Sequence, residues 1–341
     1  MWKKTVNNPM FPEFITPKLK DIGELIIDNE VITHGKLYTL KINAGKLASG
    51  NRINVFAHVL HTGVPGPSLL VLGGVHGNEI NGIEIVRRSI EESIFDSVTC
   101  GTVILIPLLN VFGFINFTRD VSDGKDVNRS FPGHFSGSLA SRVARIITKK
   151  ILPYVDVAID FHTGGEARYN FPQIRYNKND QIATMLAHSC GVKYLIEQPL
   201  IAHSFRRAAY DMKIPALVFE GGESIRLDKL SIISGIQVIK NLLVKLSMIQ
   251  EPALSMSDDQ WIIHKDKWVR ASEPGIFIWS KKSGEYVEKD EVMGEIKEPF
   301  GNKSIQVRAP NSGHIIGHNN ASVVSLGDAL FHLGVDYSLV E

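Results

Sequence analysis

Ser68-Leu69-Leu70-Val71-Leu72-Gly73-Gly74-Val75-His76-Gly77-Asn78-Glu79 sets the reading of the whole chain. An apolar run enters two glycines, then a His and, three residues later, a Glu. A short run rich in Leu and Val reads as a buried strand, and the glycines as its turn. If a helix opens near Asn78, the i,i+3 spacing sets His76 and Glu79 on one side of the strand's carboxyl end. In an open α/β sheet that edge is where ligands bind. An imidazole and a carboxylate there supply two of the three protein ligands of a catalytic zinc site, whose fourth position is left to water. Alone, His-x-x-Glu is a weak signal, because a helix N-terminus favours a Glu through its dipole and a His can be a satisfied core residue.

Three further segments strengthen it. Tyr154-Val155-Asp156-Val157-Ala158-Ile159-Asp160-Phe161-His162-Thr163-Gly164-Gly165 is a second strand ending in a His. Ile214-Pro215-Ala216-Leu217-Val218-Phe219-Glu220-Gly221-Gly222-Glu223 is a third, ending in a carboxylate and glycines. Between the first two lies Asp126-Val127-Asn128-Arg129-Ser130-Phe131-Pro132-Gly133, where an amide beside a guanidinium suits a bidentate grip on a substrate carboxylate. His76, Glu79 and His162 make a hydrolytic zinc pattern, since calcium or magnesium would want more oxygen ligands. Glu220 ends its strand where the two histidines end theirs and is the expected general base, with Glu223 as the competing choice. Asp160, two residues before His162 and on the same strand face, competes with Asp126 for the role of supporting a metal-binding ring.

The order HGNE (76–79), DVNRSFPG (126–133), DFHTGG (160–165), VFEGG (218–222) resembles the succinylglutamate desuccinylase/aspartoacylase family, a branch of the zinc carboxypeptidase-like hydrolases, over roughly residues 35 to 250. The resemblance implies one zinc per chain on His76, Glu79 and His162, and it disfavours copper or iron. It implies Glu220 as catalytic glutamate, Arg119 as the group that polarises the scissile carbonyl, and Asp126 as the hydrogen-bond partner of His76. Asn128 and Arg129 would bind the substrate. The activity implied is zinc-dependent removal of an acyl group, acetyl or succinyl, from an N-acylated amino acid by metal-activated water. A carboxypeptidase acting on a short peptide, and a metal-free binding module that has lost activity, are the alternatives. Arg206 and Arg207 read as a solvated helix face, with a role in specificity as the other option.

Composition narrows the partners. Lys plus Arg (37) almost cancels Asp plus Glu (36), so no basic footprint for nucleic acid or an anionic membrane exists. No apolar run approaches the roughly 20 residues of a transmembrane helix. The first residues carry basic side chains without an apolar core after them, unlike a signal peptide. Cys100 and Cys190 are too few for a disulfide framework and read as free thiols of a cytoplasmic protein. Composition thus excludes nucleic acid and membrane as partners; the resemblance implies a small N-acyl amino acid, with self-association into a homo-oligomer left open.

Strands are expected at 37–43, 52–59, 68–73, 102–107, 155–161, 193–197 and 215–220, and helices at 79–94, 138–151, 179–190, 203–212 and 227–248. Their alternation gives an α/β fold, a mostly parallel sheet flanked by helices, in residues 1–252, with 1–30 an irregular lead-in. The glycine-containing stretch from Asn110 to Gly137 is long for a connection and reads as functional. From Trp261 onward the helix signals cease and short strands with Gly turns follow. Residues 253–341 are thus expected to form a small all-β barrel, and Gly284 to Gly313 resembles the lipoyl/biotinyl carrier domains. Lys303 is the nearest candidate for a carrier lysine, but its flanking signature is absent, so a structural appendage is the reading preferred.

Overall fold

The computed structural model describes residue 12 and residues 14–19, 24–46, 50–252, 259–301 and 303–340. Most of the expected lead-in, and the expected boundary at residue 253, lie outside the described residues. Strands β1 (Leu25–Ile27) and β2 (Glu30–Ile32) form an antiparallel hairpin that begins in the stretch read as irregular and ends just beyond it. Long strands β3 (Leu37–Lys46) and β4 (Arg52–His61) follow, and in β4 buried residues alternate with more exposed ones, the pattern of a strand with one face on the core.

Strands β5 (Ser68–Gly73), β6 (Thr102–Ile106) and β7 (Val157–Gly164) are buried at every residue. Both faces are covered, as parallel strands require. β5 lies between β6 and β7 and is parallel to both, and β10 (Ala216–Glu223) continues the parallel set beside β7. On one face pack α1 (Ile80–Glu91), α4 (Gln181–His188) and α6 (Lys229–Lys245), whose apolar residues join Leu69, Val71 and Ile159. On the other face α3 (Leu139–Ile146) and α5 (Phe205–Asp211) join Leu70, Leu72 and Ala158. The Asn110–Gly137 stretch is less irregular than expected, for it holds the short helix α2 (Val111–Asn116) and a 3-10 turn at Val127–Arg129.

The sheet is mixed, with antiparallel strands added on both sides of the parallel set. Strand β8 (Arg168–Tyr176) runs antiparallel to β10, and β3 and β4 are antiparallel to their neighbours. Only residues 165–167 separate β7 from β8, far fewer than the dozen or so a parallel crossover needs, so β8 must return. No strand was expected at 168–176, because Asn170, Pro172, Gln173 and two arginines break its apolar run. Pro172 is tolerated at a bulge: Glu220 pairs with Gln173 and Gly222 with Asn170, so β8 carries one residue more than β10 between those pairs.

Strand β9 (Tyr194–Glu197) lies beside β8, and beyond α6 the described elements are strands alone: β11 (Trp261–Arg270), β12 (Gly275–Trp279), β13 (Tyr286–Val287), β14 (Val292–Lys297), β15 (Ser304–Arg308), β16 (Gly313–Asn319), β17 (Val323–Val324) and β18 (Ala329–Leu339). A four-stranded sheet, β15-β14-β12-β17, packs through Phe277, Met293 and Ile296 onto Phe331 and Leu333 of β18. These strands are continuous with the main sheet. β11 runs parallel beside β9, and β16 pairs with β8, giving a twelve-stranded order β13-β16-β18-β11-β9-β8-β10-β7-β5-β6-β4-β3.

Close packing of α1 on β7 brings Glu79, at the mouth of the helix, to His162. Gly82, one turn into the helix, permits this: a Cβ there would lie 2.4 Å from the Phe161 carbonyl oxygen. Gly82→Ala is therefore expected to cost about 1–3 kcal/mol through overpacking, although Ala is the better helix former. A urea midpoint equal to or above that of the unaltered protein would remove this account of the packing.

Candidate active site

Parallel pairing levels the strand ends. Gly73 of β5 stands opposite Phe161 of β7, and Glu220 of β10 opposite His162. His76 follows β5 through Gly74, whose φ of +61° suits glycine. Gly77 then lets the turn press on α2, where a Cβ would come 2.0 Å from Gly113. The three sequence candidates for metal ligation converge: His76 Nδ1 is 2.7 Å from Glu79 Oε1, His162 Nδ1 is 2.8 Å from Glu79 Oε2, and the two Nδ1 atoms are 3.1 Å apart. All three side chains are buried.

The outer nitrogens are also engaged. Asp126 Oδ1 lies 3.2 Å from His76 Nε2, and Asp160 Oδ2 lies 2.7 Å from His162 Nε2. A carboxylate on each Nε2 holds a proton on that nitrogen, so Nδ1 is the atom each ring would offer to a metal. Asp126 and Asp160, weighed as competitors in the sequence, thus serve different rings. Two imidazole lone pairs and a carboxylate, grouped and backed by outer carboxylates, fit a zinc ion in both donor type and orientation.

Arg119 reaches the same cluster. Its Nη1 lies 3.1 Å from Glu79 Oε1 and 3.2 Å from His76 Nδ1, while Nη2 donates to Asp126 Oδ2 at 2.9 Å. Its loop is fixed by Asn110, whose side chain accepts from Gly113 N and donates to the Arg119 carbonyl. Burial works against the charge of Arg119, but Glu79 and Asp126 outweigh it and hold the guanidinium above its usual value. Burial likewise opposes ionisation of Asp126, and His76 and Arg119 overcome it, keeping the carboxyl well below the usual range.

Glu220 faces the same cavity with its carboxylate held by Asn170 Nδ2 at 2.8 Å, and Arg175 Nη1 lies 3.4 Å away. Glu223 does not line the cavity; it pairs with Arg226 and accepts from Asn320. Geometry therefore separates two carboxylates that the sequence left in competition. Arg129 and Asn128 line the mouth, although Asn128 Oδ1 is already used by the amide of Phe205 at the start of α5. Arg129 Nη1 donates to the Asn128 carbonyl, and the side chain stays accessible.

Arg206 corrects the expectation of a solvated helix face. Only Arg207 is solvated, paired with Asp211 across one turn. Arg206 is 5% exposed and turns into the cavity, its Nη2 bonded to Gln198 Oε1 and the Pro199 carbonyl. Its Nη1 is buried without a partner. Burial, with Arg175 adding repulsion and Glu220 opposing, brings its pKa down to about 10. A helical wheel carries the missed signal: Phe205, Ala208 and Ala209 mark the inner face, Arg206 flanks it, and Arg207 is opposite. Arg175 was missed with its strand.

A family profile described as the succinylglutamate desuccinylase/aspartoacylase catalytic domain matches residues 65–246. The chain belongs to this family of N-acyl amino acid deacylases. A curated relative, the N-alpha-acetyl-L-2,4-diaminobutyric acid deacetylase of Halomonas elongata, is 25% identical over 284 residues, which span 78% of this chain and 81% of the relative. Among solved structures, the product-bound ectoine utilization protein EutE (DoeB) of Ruegeria pomeroyi superposes with a TM-score of 0.79 at 21% identity, covering 89% of this chain and 98% of the other. A succinylglutamate desuccinylase/aspartoacylase from Rhodobacter sphaeroides gives 0.77 at 22% identity, covering 88% and 95%. These structures share the fold.

Charge in the cluster has a pH consequence for metal-free protein. Burial disfavours the charged form of both His162 and Glu79, yet Asp160 and Glu79 hold His162 well above its ordinary 6.5, and His76 and His162 hold Glu79 well below 4.5. The His162 contribution is complete below pH 6.5 and is lost as pH rises through the folded value; that of Glu79 is present above 4.5 and is lost as pH falls. Chelator-treated protein should therefore melt at progressively lower temperature between pH 6.5 and 9, and Asp160→Asn should flatten the slope. A melting temperature that climbs across that interval would contradict these assignments.

Proposed function

We propose that this protein is a zinc-dependent hydrolase that cleaves the amide of a small N-acyl amino acid. The observation that carries the reading is the convergence of His76, Glu79, His162 and Glu220 on one cavity. His76, Glu79 and His162 would hold the zinc ion, which supplies a Lewis acid for the acyl carbonyl and acidifies a water molecule. Glu220, on the same cavity, would take a proton from the attacking water and pass it to the leaving amine. Asp126 and Asp160 keep the imidazoles in the tautomer that ligation needs. Arg119 neutralises charge that develops on the acyl oxygen. Arg129 and Arg206 provide guanidinium donors for the carboxylate of the amino acid, with Asn128 beside them.

Cavity size supports this reading over a carboxypeptidase. About 180 Å³ is available, below the roughly 300–1,000 Å³ of sites for drug-sized ligands, which suits one acylated amino acid rather than a peptide. The complete set of ligands and base argues against a metal-free binding module. We read residues 253–341 as a small barrel of lipoyl type with a structural role; Lys303 is engaged with both oxygens of Glu273 at 2.7 Å, which supports that role over a carrier lysine. Free Cys100 and Cys190, and the lack of any described helix long and apolar enough to cross a membrane, support a cytoplasmic setting.

A panel of N-acetyl and N-succinyl amino acids beside short peptides, run with elemental analysis of bound metal, tests the proposal. Near one zinc per chain and turnover of the acyl amino acids are expected; turnover of peptides alone would overturn it. Glu220→Gln should keep the metal and lose activity by roughly two orders of magnitude or more, as for a positioned acid–base. Full turnover by Glu220→Gln, or inactivity of Glu223→Gln alone, would move the base elsewhere.

Arg129→Ala and Arg206→Ala should each cost about ten- to a hundred-fold in kcat/KM, the worth of a charge-assisted pair to a carboxylate. Against the methyl ester of the same substrate the loss should shrink for whichever guanidinium holds the carboxylate. Equal losses on acid and ester for both variants would place the anchor on another residue.

A further inference from the structure

Strand β16 grips the main sheet at the place where Glu220 is held. Gly317 pairs with Asn170, His318 with Tyr169, and Asn319 with Arg168. Asn320 extends the grip on both sides: its backbone N–H donates to the Ala167 carbonyl at 2.8 Å, and its side-chain amide donates to Glu223 Oε2 at 2.8 Å. Asn170 is thus paired along one edge with Gly222 of β10 and along the other with Gly317 of β16.

Its side chain reaches Glu220. Asn170 is buried, and its Nδ2 donates to Glu220 Oε2 at 2.8 Å, shorter than the 3.4 Å from Arg175 to the other oxygen. Of the two contacts only the one from Asn170 has the length of a good hydrogen bond, so Asn170 rather than Arg175 sets where the carboxylate points. On the opposite side of the amide, the space is closed by Gly317. A Cβ on Gly317 would lie 3.0 Å from Asn170 Oδ1 and 3.3 Å from His332 Cβ. Glycine at this position lets β16 come close enough to back the Asn170 side chain without displacing it. The bulge at Pro172 makes the backing necessary, because it interrupts the β8–β10 ladder between Gln173 and Asn170 and leaves Asn170 less firmly set from the β10 side.

We propose that Asn170 is the positioning residue of Glu220, and that the C-terminal strand β16, through Gly317, holds Asn170 in place. The proposal rests on the reading of Glu220 as the general base. It gives the C-terminal unit a part in turnover: the unit acts through one buried amide on the group that moves the proton.

The test uses the full-length, metal-loaded protein with whichever acyl amino acid it turns over. Asn170→Asp preserves shape but replaces the donor with a carboxylate facing Glu220, and Asn170→Ala removes the side chain. Both should lower kcat by about ten- to a hundred-fold, the scale of a misplaced catalytic group, with KM and bound metal unchanged. Gly317→Ala, the milder change, should lower kcat in the same sense and should cost nothing further once Asn170 is Ala, because the two act in series. On the Glu220→Gln background Asn170→Ala should likewise have no added effect. Folded Asn170→Asp protein with unaltered kcat would overturn the proposal, as would loss of metal in step with kcat, which would mean that the cluster rather than Glu220 had been disturbed. If the Asn170 variants fail to fold, Gly317→Ala decides: unaltered kcat overturns the proposal, and reduced kcat at constant KM and metal supports it. Should Glu220→Gln itself remain active, the reading of the base fails, whereas an inactive Glu220→Gln with an unaffected Asn170→Asp sinks only the present inference.

Discussion

The contact on which the rest of this molecule depends is the meeting of two imidazole nitrogens and one carboxylate at the end of a parallel sheet. His76, Glu79 and His162 are between 2% and 4% exposed, and their ligating atoms lie about as close as ordinary hydrogen-bonded groups. Burying such a group without partners costs several kcal/mol per uncompensated charge. The structure offsets that cost with an outer ring: Asp126 on one imidazole, Asp160 on the other, and Arg119 across Glu79 and Asp126. The backbone must then come close enough to close the ring, and glycine permits it at the turn on α2 (Gly77) and at the helix–strand contact (Gly82).

Glu220 illustrates how regular structure ends where chemistry begins. On its β7 side the ladder is regular up to Glu220 and His162, then shifts by one residue before Glu223 meets Gly164. On its β8 side a second irregularity follows at the same point. Up to Glu220 the alternation is regular, so Glu220 shares the cavity face with Val218, and both irregularities follow it. Glu223, beyond both, is carried out of the cavity to Arg226 and Asn320. Three residues of separation thus place the two carboxylates in different surroundings.

Much of this was legible in the sequence, for reasons that can be named. Strands β5, β6, β7 and β10 are buried on both faces and announce themselves as apolar runs, so the edge carrying His76, His162 and Glu220 could be drawn from their ends. What failed depended on contacts distant in sequence. β8 reads as broken by Pro172 and by polar residues because Asn170 and Arg175 turn to Glu220 of β10, a partner that local pattern cannot show. Losing β8 hid Asn170 and Arg175 and made the sheet look more parallel than it is. Arg206 was assigned to solvent with Arg207 because adjacent arginines look alike until the 100° between them is taken into account. The continuity of β11 with β9 and of β16 with β8 lay beyond reach, since these pairings join strands distant in sequence and local pattern carries little information about a strand's partner.

Arg206 also shows why a cavity of this kind can discriminate sharply. Its guanidinium is buried, with Nη2 satisfied and Nη1 lacking a partner, and burial already pulls its pKa down to about 10. Arg175 has a buried Nε in the same condition, and its nearest anion, Glu220, is shared with Asn170. Donors left unpaired in a buried site are costly until an acceptor arrives, and an anionic group of the right reach gains what the empty site lacks. A ligand of equal size without that group would leave the donors buried and unmet. Rejection by unmet donors reaches about 10⁴-fold and more in sites built on this plan, against roughly 10–200-fold for a missing methylene in an apolar pocket. Selectivity in this cavity is therefore expected to follow the charge of the ligand more closely than the length of its chain.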